Sequence, residues 1–140
     1  MNAWSHLVEA EITGILVFAD KKCVEIKIRD SNRNDWLILA EGVDDVLVEE
    51  MRLTNIVDRV WQVDASTSIT ERVAQRIYYL LRDGDSEGFD KEWSVLQAKL
   101  DAIRRNELSF CEIEPVYGAT VMMLAKHIKL EMVTQHRQDL

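Results

Sequence analysis

The spacing of apolar residues changes twice along this chain, and that order limits the fold more than any other feature. In the first part apolar and polar residues alternate, as in Val8–Thr13 and Val24–Ile28. This two-residue period is typical of strands with one buried face. Short polar segments such as Ser31–Asp35 and Thr54–Asn55 separate the strands. Connections of this length indicate antiparallel neighbours, so the first part predicts a meander.

Three more strands are predicted before the period changes. They are the apolar run Trp36–Ala40, the alternating segment Val46–Val48 and the segment Ile56–Val63. We place a turn at Glu41–Gly42, because glycine favours turns.

Helical spacing replaces the alternation after residue 67. Ser68 and Glu71 fit a capping box and predict a helix over Ile69–Arg82. Gly84 ends it, as glycine commonly does. A second helix is expected to end at Asn106, with one apolar face formed by Phe89, Trp93, Leu96, Leu100 and Ile103.

Alternation returns in the last part. Leu108–Ile113 predicts a strand, Pro115–Gly118 a turn, and Ala119–Val133 one long strand or a bent pair. The polar residues Thr134–Leu140 are expected to fray. The chain is therefore predicted to be a single α+β domain over residues 1–140. Its antiparallel sheet consists of an N-terminal meander and a C-terminal hairpin, with two helices inserted between the strand groups.

The charge is strongly negative and concentrated in one place. Formal net charge is −8 over 140 residues, and residues 41–50 carry five carboxylates and no basic residue. Such a field repels nucleic acid and anionic membranes and attracts basic proteins. We therefore expect a basic protein partner and no nucleic-acid or membrane partner. The predicted partner-binding residues are Glu41, Asp44, Asp45, Glu49 and Glu50.

Metal and cofactor motifs are weak or absent, so no cofactor and no metal site are expected. Residues 83–90 resemble a calcium loop through Asp83, Asp85 and Glu87, but Ser94 stands where a bidentate glutamate should close the coordination shell. Paired carboxylates such as Asp44–Asp45 do not make one site on a regular strand, because adjacent side chains point to opposite faces.

No nucleophile motif is present, which favours a protein without enzymatic activity. The alternative is a small enzyme or ligand-binding domain whose site assembles only on folding from His6, His127 or Cys111. A third interpretation is a structural subunit of a homo-oligomer, paired through an exposed strand edge.

The chain carries no feature of an exported or membrane protein. Its N-terminus lacks the basic start and apolar core of a signal peptide, and its apolar runs are far too short to span a bilayer. Cys23 and Cys111 are therefore expected to be reduced thiols in a cytoplasmic protein.

Several short segments resemble bacterial immunity proteins of polymorphic and contact-dependent toxin systems. They cover about half of the chain and are His6–Leu7, Val24–Ile28, Leu37–Val43, Asn55–Val57 and Phe110–Ala119, the last with a Glu-Pro-x-Tyr-Gly-Ala pattern. The resemblance implies a cytoplasmic, non-enzymatic protein that binds a toxin domain and blocks its active site. An acidic surface suits this role, because toxin nucleases are commonly basic.

Overall fold

The computed structural model describes residues 2–133, in which six antiparallel strands close into a barrel. The strands are β1 (Glu11–Phe18), β2 (Cys23–Arg29), β3 (Asp35–Glu49), β4 (Ile56–Val63), β5 (Ser109–Tyr117) and β6 (Thr120–Met132). Two helices, α1 (Glu71–Leu81) and α2 (Ser94–Arg104), lie between β4 and β5. The predicted α+β class, with helices inserted between strand groups, is confirmed. The expected frayed tail falls outside the described residues.

The strands follow the order β1-β2-β3-β6-β5-β4 around the barrel. Closure between β1 and β4 is short, with Glu11 opposite Ile56 as the single paired position. Just before it, the Glu9 amide donates to the Val57 carbonyl and the Val57 amide donates to the Ala10 carbonyl, both at 2.8 Å. A 3-10 turn, Ala3–Leu7, contacts β4 beside this closure.

Two apolar cores explain the sequence periods. One fills the barrel, with inward residues such as Ile26, Ile38 and Val121. The other lies between the helices and the outer face of the sheet, where Ile77 and Leu100 meet apolar residues of β4, β5 and β6. These strands are covered on both faces, so β6 shows a continuous apolar run instead of alternation. Strands β1 and β2 lack a helical cover and keep the two-residue period.

The predicted turn at Glu41–Gly42 is wrong, because β3 runs unbroken through it. Strand β6 pairs with β3 from Trp36 to Glu49, with a register shift between Val43 and Asp45. Gly42 has φ +62°, and a Cβ there would lie 2.8–3.0 Å from Lys126 side-chain carbons. The left-handed backbone at residue 42 therefore favours glycine within a continuous strand, and the bulge follows at Asp44.

The predicted helix starts also need correction. Helix α1 begins at Glu71, because the Thr70 side chain accepts a hydrogen bond from the Val73 amide and so caps the helix in place of Ser68. Ile69 packs on the helical core from outside the helix.

The second helix and the last turn shift as well. Phe89 and Trp93 precede α2 and make edge-on ring contacts with Tyr78 of α1, at 5.2 and 5.5 Å between centroids. Strand β5 continues through Pro115 to Tyr117. The register shifts of β4 next to Val57 allow a residue without an amide hydrogen at that position.

Candidate functional site

The acidic segment, residues 41–50, lies where β3 extends beyond β2. Strand β2 ends at Cys23, which pairs with Glu41, so residues 43–49 of β3 have β6 as their one strand neighbour within the described chain. A groove of about 230 Å³ opens beside this edge, and its lining includes Val17, Phe18 and Asp44. An unpaired edge that carries carboxylates resists pairing with other strands of similar charge.

The bulge lies at Asp44 and Asp45, the pair that was expected to point to opposite faces of a regular strand. The Asp44 carboxylate lies 2.7 Å from Lys99 Nζ on α2. The positive charge of Lys99 also acts on Asp45, where it weakly opposes a net rise in the pKa of that carboxyl caused mainly by burial. The register shift breaks the alternation on which the expectation depended.

Asp45 is the carboxyl most affected by its surroundings in this segment. Partial burial raises its pKa, and the negative charges of Asp44 and Asp83 add to the rise. A hydrogen bond from the Val46 amide, at 2.9 Å, opposes it. Because Asp83 belongs to the turn after α1, the fold adds negative charge from a second region of the sequence to the acidic segment.

Glu49 anchors the end of the segment to α1. Its carboxylate accepts hydrogen bonds from the Tyr79 hydroxyl at 2.7 and 2.8 Å. This hydrogen bond raises the pKa of Tyr79, and desolvation adds to the effect. Glu41 and Glu50 are exposed, and Glu50 has φ +61° where the strand ends. The five predicted residues therefore divide into three with internal contacts and two that face solvent.

The acidic turn, residues 83–90, connects the two helices. Asp85 accepts a hydrogen bond from the Glu87 amide at 2.9 Å and lies 3.5 Å from Arg82. Asp83 has φ +56° and precedes Gly84 at φ +86°. No three metal-ligating side chains gather anywhere in residues 2–133.

A charged cluster between α1 and the barrel was missed by the sequence analysis. Glu112 of β5 is 2% exposed and lies 3.0 Å from Arg76 and 3.5 Å from Arg72. Arg72 also lies 3.6 Å from Glu114 and stacks over Trp61, with its guanidinium carbon 3.9 Å from the ring centroid. Two features of the sequence could have indicated this cluster. Glu112 has the same strand parity as buried Phe110, so its side chain shares the buried face. Arg72 and Arg76 lie four residues apart and therefore on one face of α1.

This cluster joins the acidic segment to the rest of the molecule. Arg76 lies over the Tyr79 ring at 4.7 Å, and Tyr79 in turn holds Glu49. The Nη1 atom of Arg72 is buried without a hydrogen-bond partner. The cluster holds two carboxylates, Glu112 and Glu114, against the three guanidinium groups of Arg59, Arg72 and Arg76, so its formal charge is +1.

The alternative site residues are not joined to one another. Cys111 is buried, and its burial raises its pKa to about 12, so the thiol carries its proton at neutral pH. His6 stacks on Trp36 at 5.4 Å between ring centroids. His127 is exposed on β6 opposite Glu41. Within residues 2–133 the three side chains do not gather into a metal-ligating group.

Comparison with known proteins adds no relative: no family model, curated protein or solved structure matches this chain. Among the described residues, neither helix has the length and apolar character that crossing a bilayer requires.

Proposed function

We propose that this chain is a non-enzymatic binding module for a basic protein. In its specific form the proposal is a cytoplasmic immunity protein that occludes the active site of a bacterial toxin domain through the acidic segment. Carboxylates at such a surface pair with the lysines and arginines that a nuclease uses to hold phosphate. The resemblance of the short segments and the net charge of −8 both favour it.

One observation carries the proposal: carboxylates from two separate regions meet at the end of β3. Asp45 of the segment lies in the field of its neighbour Asp44 and of Asp83 from the acidic turn. Within the described chain, Lys99 is the one basic side chain that pairs with any of these three. Like charges held together repel one another, and a cationic partner relieves that repulsion.

An enzyme is disfavoured by the state of its best candidate nucleophile. Cys111 is fully buried, and its raised pKa keeps it protonated at neutral pH. A thiol in this state reacts slowly, because the thiolate is the nucleophile.

The test uses the gene directly upstream, which the proposal requires to encode a toxin. Its C-terminal domain is purified, and association with the chain is followed by stopped flow at low and high salt. Asp44→Asn with Asp45→Asn should slow association and reduce its salt dependence, because interfacial charges act mainly on the association rate. A matched control, Glu92→Gln with Glu131→Gln, removes the same charge elsewhere. Equal association rates for the two double variants would contradict the proposal.

A second candidate function is a homo-oligomer subunit paired through β1. Strand β1 pairs with β4 at a single position, which leaves the side of residues 13–18 without a strand neighbour in the described chain. Leu16 and Val17 are exposed on this strand. Light scattering after size exclusion tests it: a dimer that Val17→Lys converts to a monomer would favour this candidate.

A further inference from the structure

The most exposed large apolar side chain belongs to the loop that follows the acidic segment. Leu53 is fully exposed, at 101%, between Glu50 and Asn55. Three further exposed apolar residues lie on this loop and at the adjoining end of β5. We call the four the apolar tip: Met51, Leu53, Val116 and Tyr117. Single exposed apolar residues are common, whereas a group on two adjoining loops indicates an interaction surface.

A buried asparagine fixes these two loops to each other. Asn55 is 4% exposed, and its Oδ1 accepts hydrogen bonds from the Arg52 amide at 3.0 Å and the Ala119 amide at 2.9 Å. Its Nδ2 donates to the Arg52 carbonyl at 2.8 Å. All three bonds are to backbone, so the conformation of one loop depends on the other.

The turn at Gly118 adds a second restraint. It has φ +89°, and a Cβ at this position would lie 2.4 Å from Asn55 Oδ1 and 2.9 Å from the Thr54 carbonyl oxygen. The two loops therefore approach more closely than a side chain permits. Apolar residues presented by a backbone that is already ordered lose little entropy on binding.

We propose that the apolar tip is the anchor that holds the basic protein partner, with Leu53 seated in an apolar recess of that partner. This inference rests on the proposed function. It adds a second property of the basic partner, an apolar recess that accepts Leu53. The charge beside the tip stays net negative when its ion pairs are counted. Arg52 lies 3.8 Å from Glu50, and Arg59 and Arg72 lie 3.5 and 3.6 Å from Glu114, whereas Glu49 and Asp58 add two further carboxylates, which favours a basic partner. A second copy of this chain would bring the same negative charge and be repelled.

The experiment measures dissociation of the upstream-encoded toxin domain from the chain. Leu53→Ser should speed dissociation about tenfold or more, because burial of one leucine contributes about 1.5–3 kcal/mol. Association and its salt dependence should stay unchanged, since the variant keeps every charge. The fold should be unaffected because the side chain is fully exposed. Val95→Ser, an exposed apolar residue of α2, is the matched control and should leave both rates unchanged.

Each other outcome overturns the anchor, and the first of them leaves the proposed function standing. If Asp44→Asn with Asp45→Asn slows association but Leu53→Ser leaves dissociation unchanged, the proposed function stands and the anchor fails. If Val95→Ser speeds dissociation as much as Leu53→Ser, the tip has no special role. If the chain instead forms a dimer that Leu53→Ser dissociates, the tip joins two copies of this chain. Absence of any binding to the toxin domain overturns both proposals.

Discussion

Loss of the Glu112 charge should weaken the attachment of α1 to the barrel. The carboxylate accepts two bonds from Arg76 Nε, at 3.1 and 3.3 Å, and lies 3.5 Å from Arg72. Breaking a buried ion pair costs about 3–5 kcal/mol. Here the two arginine side chains are 29% and 34% exposed, so water solvates them when the charge is lost. We therefore expect Glu112→Gln to lower the free energy of unfolding by about 2–3 kcal/mol.

The assay is urea unfolding followed by tryptophan fluorescence and circular dichroism. With a slope of about 1–3 kcal/mol per molar urea, the midpoint should fall by roughly 0.7–3 M. Glu114→Gln is the matched control, because Glu114 belongs to the same cluster but is 37% exposed. It should cost less than about 1 kcal/mol. A Glu112→Gln midpoint equal to that of the wild type, or an equal loss in Glu114→Gln, would refute the reasoning.

Three further predictions concern single groups. Hydrogen bonds from the Trp36 indole and nearby amides outweigh burial and lower the pKa of Asp30. The stability from Asp30 is therefore complete above its unfolded pKa of about 3.9 and is lost as pH falls below it. Asp30→Asn should cost about 2 kcal/mol at pH 7, and its unfolding free energy should converge with that of the wild type in acid. A pH series of urea melts checks this, and a constant difference would contradict it. The acidic turn should not bind calcium more tightly than about 10⁻⁵ M, and a calorimetric titration with a tighter site would disprove this. Both cysteines should be reduced: two thiols should react in the denatured, unreduced protein, whereas buried Cys111 should resist a thiol reagent until the chain unfolds.

The fold class followed from the sequence because period and packing agree in most elements. The strands β1 and β2 alternate, and the α1 and α2 residues that pack on the sheet recur at helical spacing. The failures lie where a local signal competes with long-range pairing. Gly42 resembles a turn residue, yet β6 is long enough to pair with β3 from Trp36 to Glu49, so the strand continues through Gly42. Ser68 and Thr70 are both good caps, and the packing of Ile69 decides between them.

Half of the candidate site was accessible from the sequence. The charge of the acidic segment is a count of residues, so its location could be predicted. Which of its carboxylates contact other elements and which are exposed could not be predicted, because Lys99 and Tyr79 reach the segment from helices 30 or more residues away. The Glu112 cluster shares this property. Its members are separated by 36 residues between Arg76 and Glu112, and no spacing rule links them.

The short closure between β1 and β4 sets where the native protein opens first. Strand β1 has seven paired positions with β2 but one with β4, so the β1–β2 hairpin can separate from β4 as a unit while it stays attached to β3. Such partial opening breaks few backbone hydrogen bonds and exposes the barrel interior, whereas β3 and β6 remain paired. The amide protons of Ile12 and Val57, which donate across this junction, should therefore exchange with solvent well before those of the central strands.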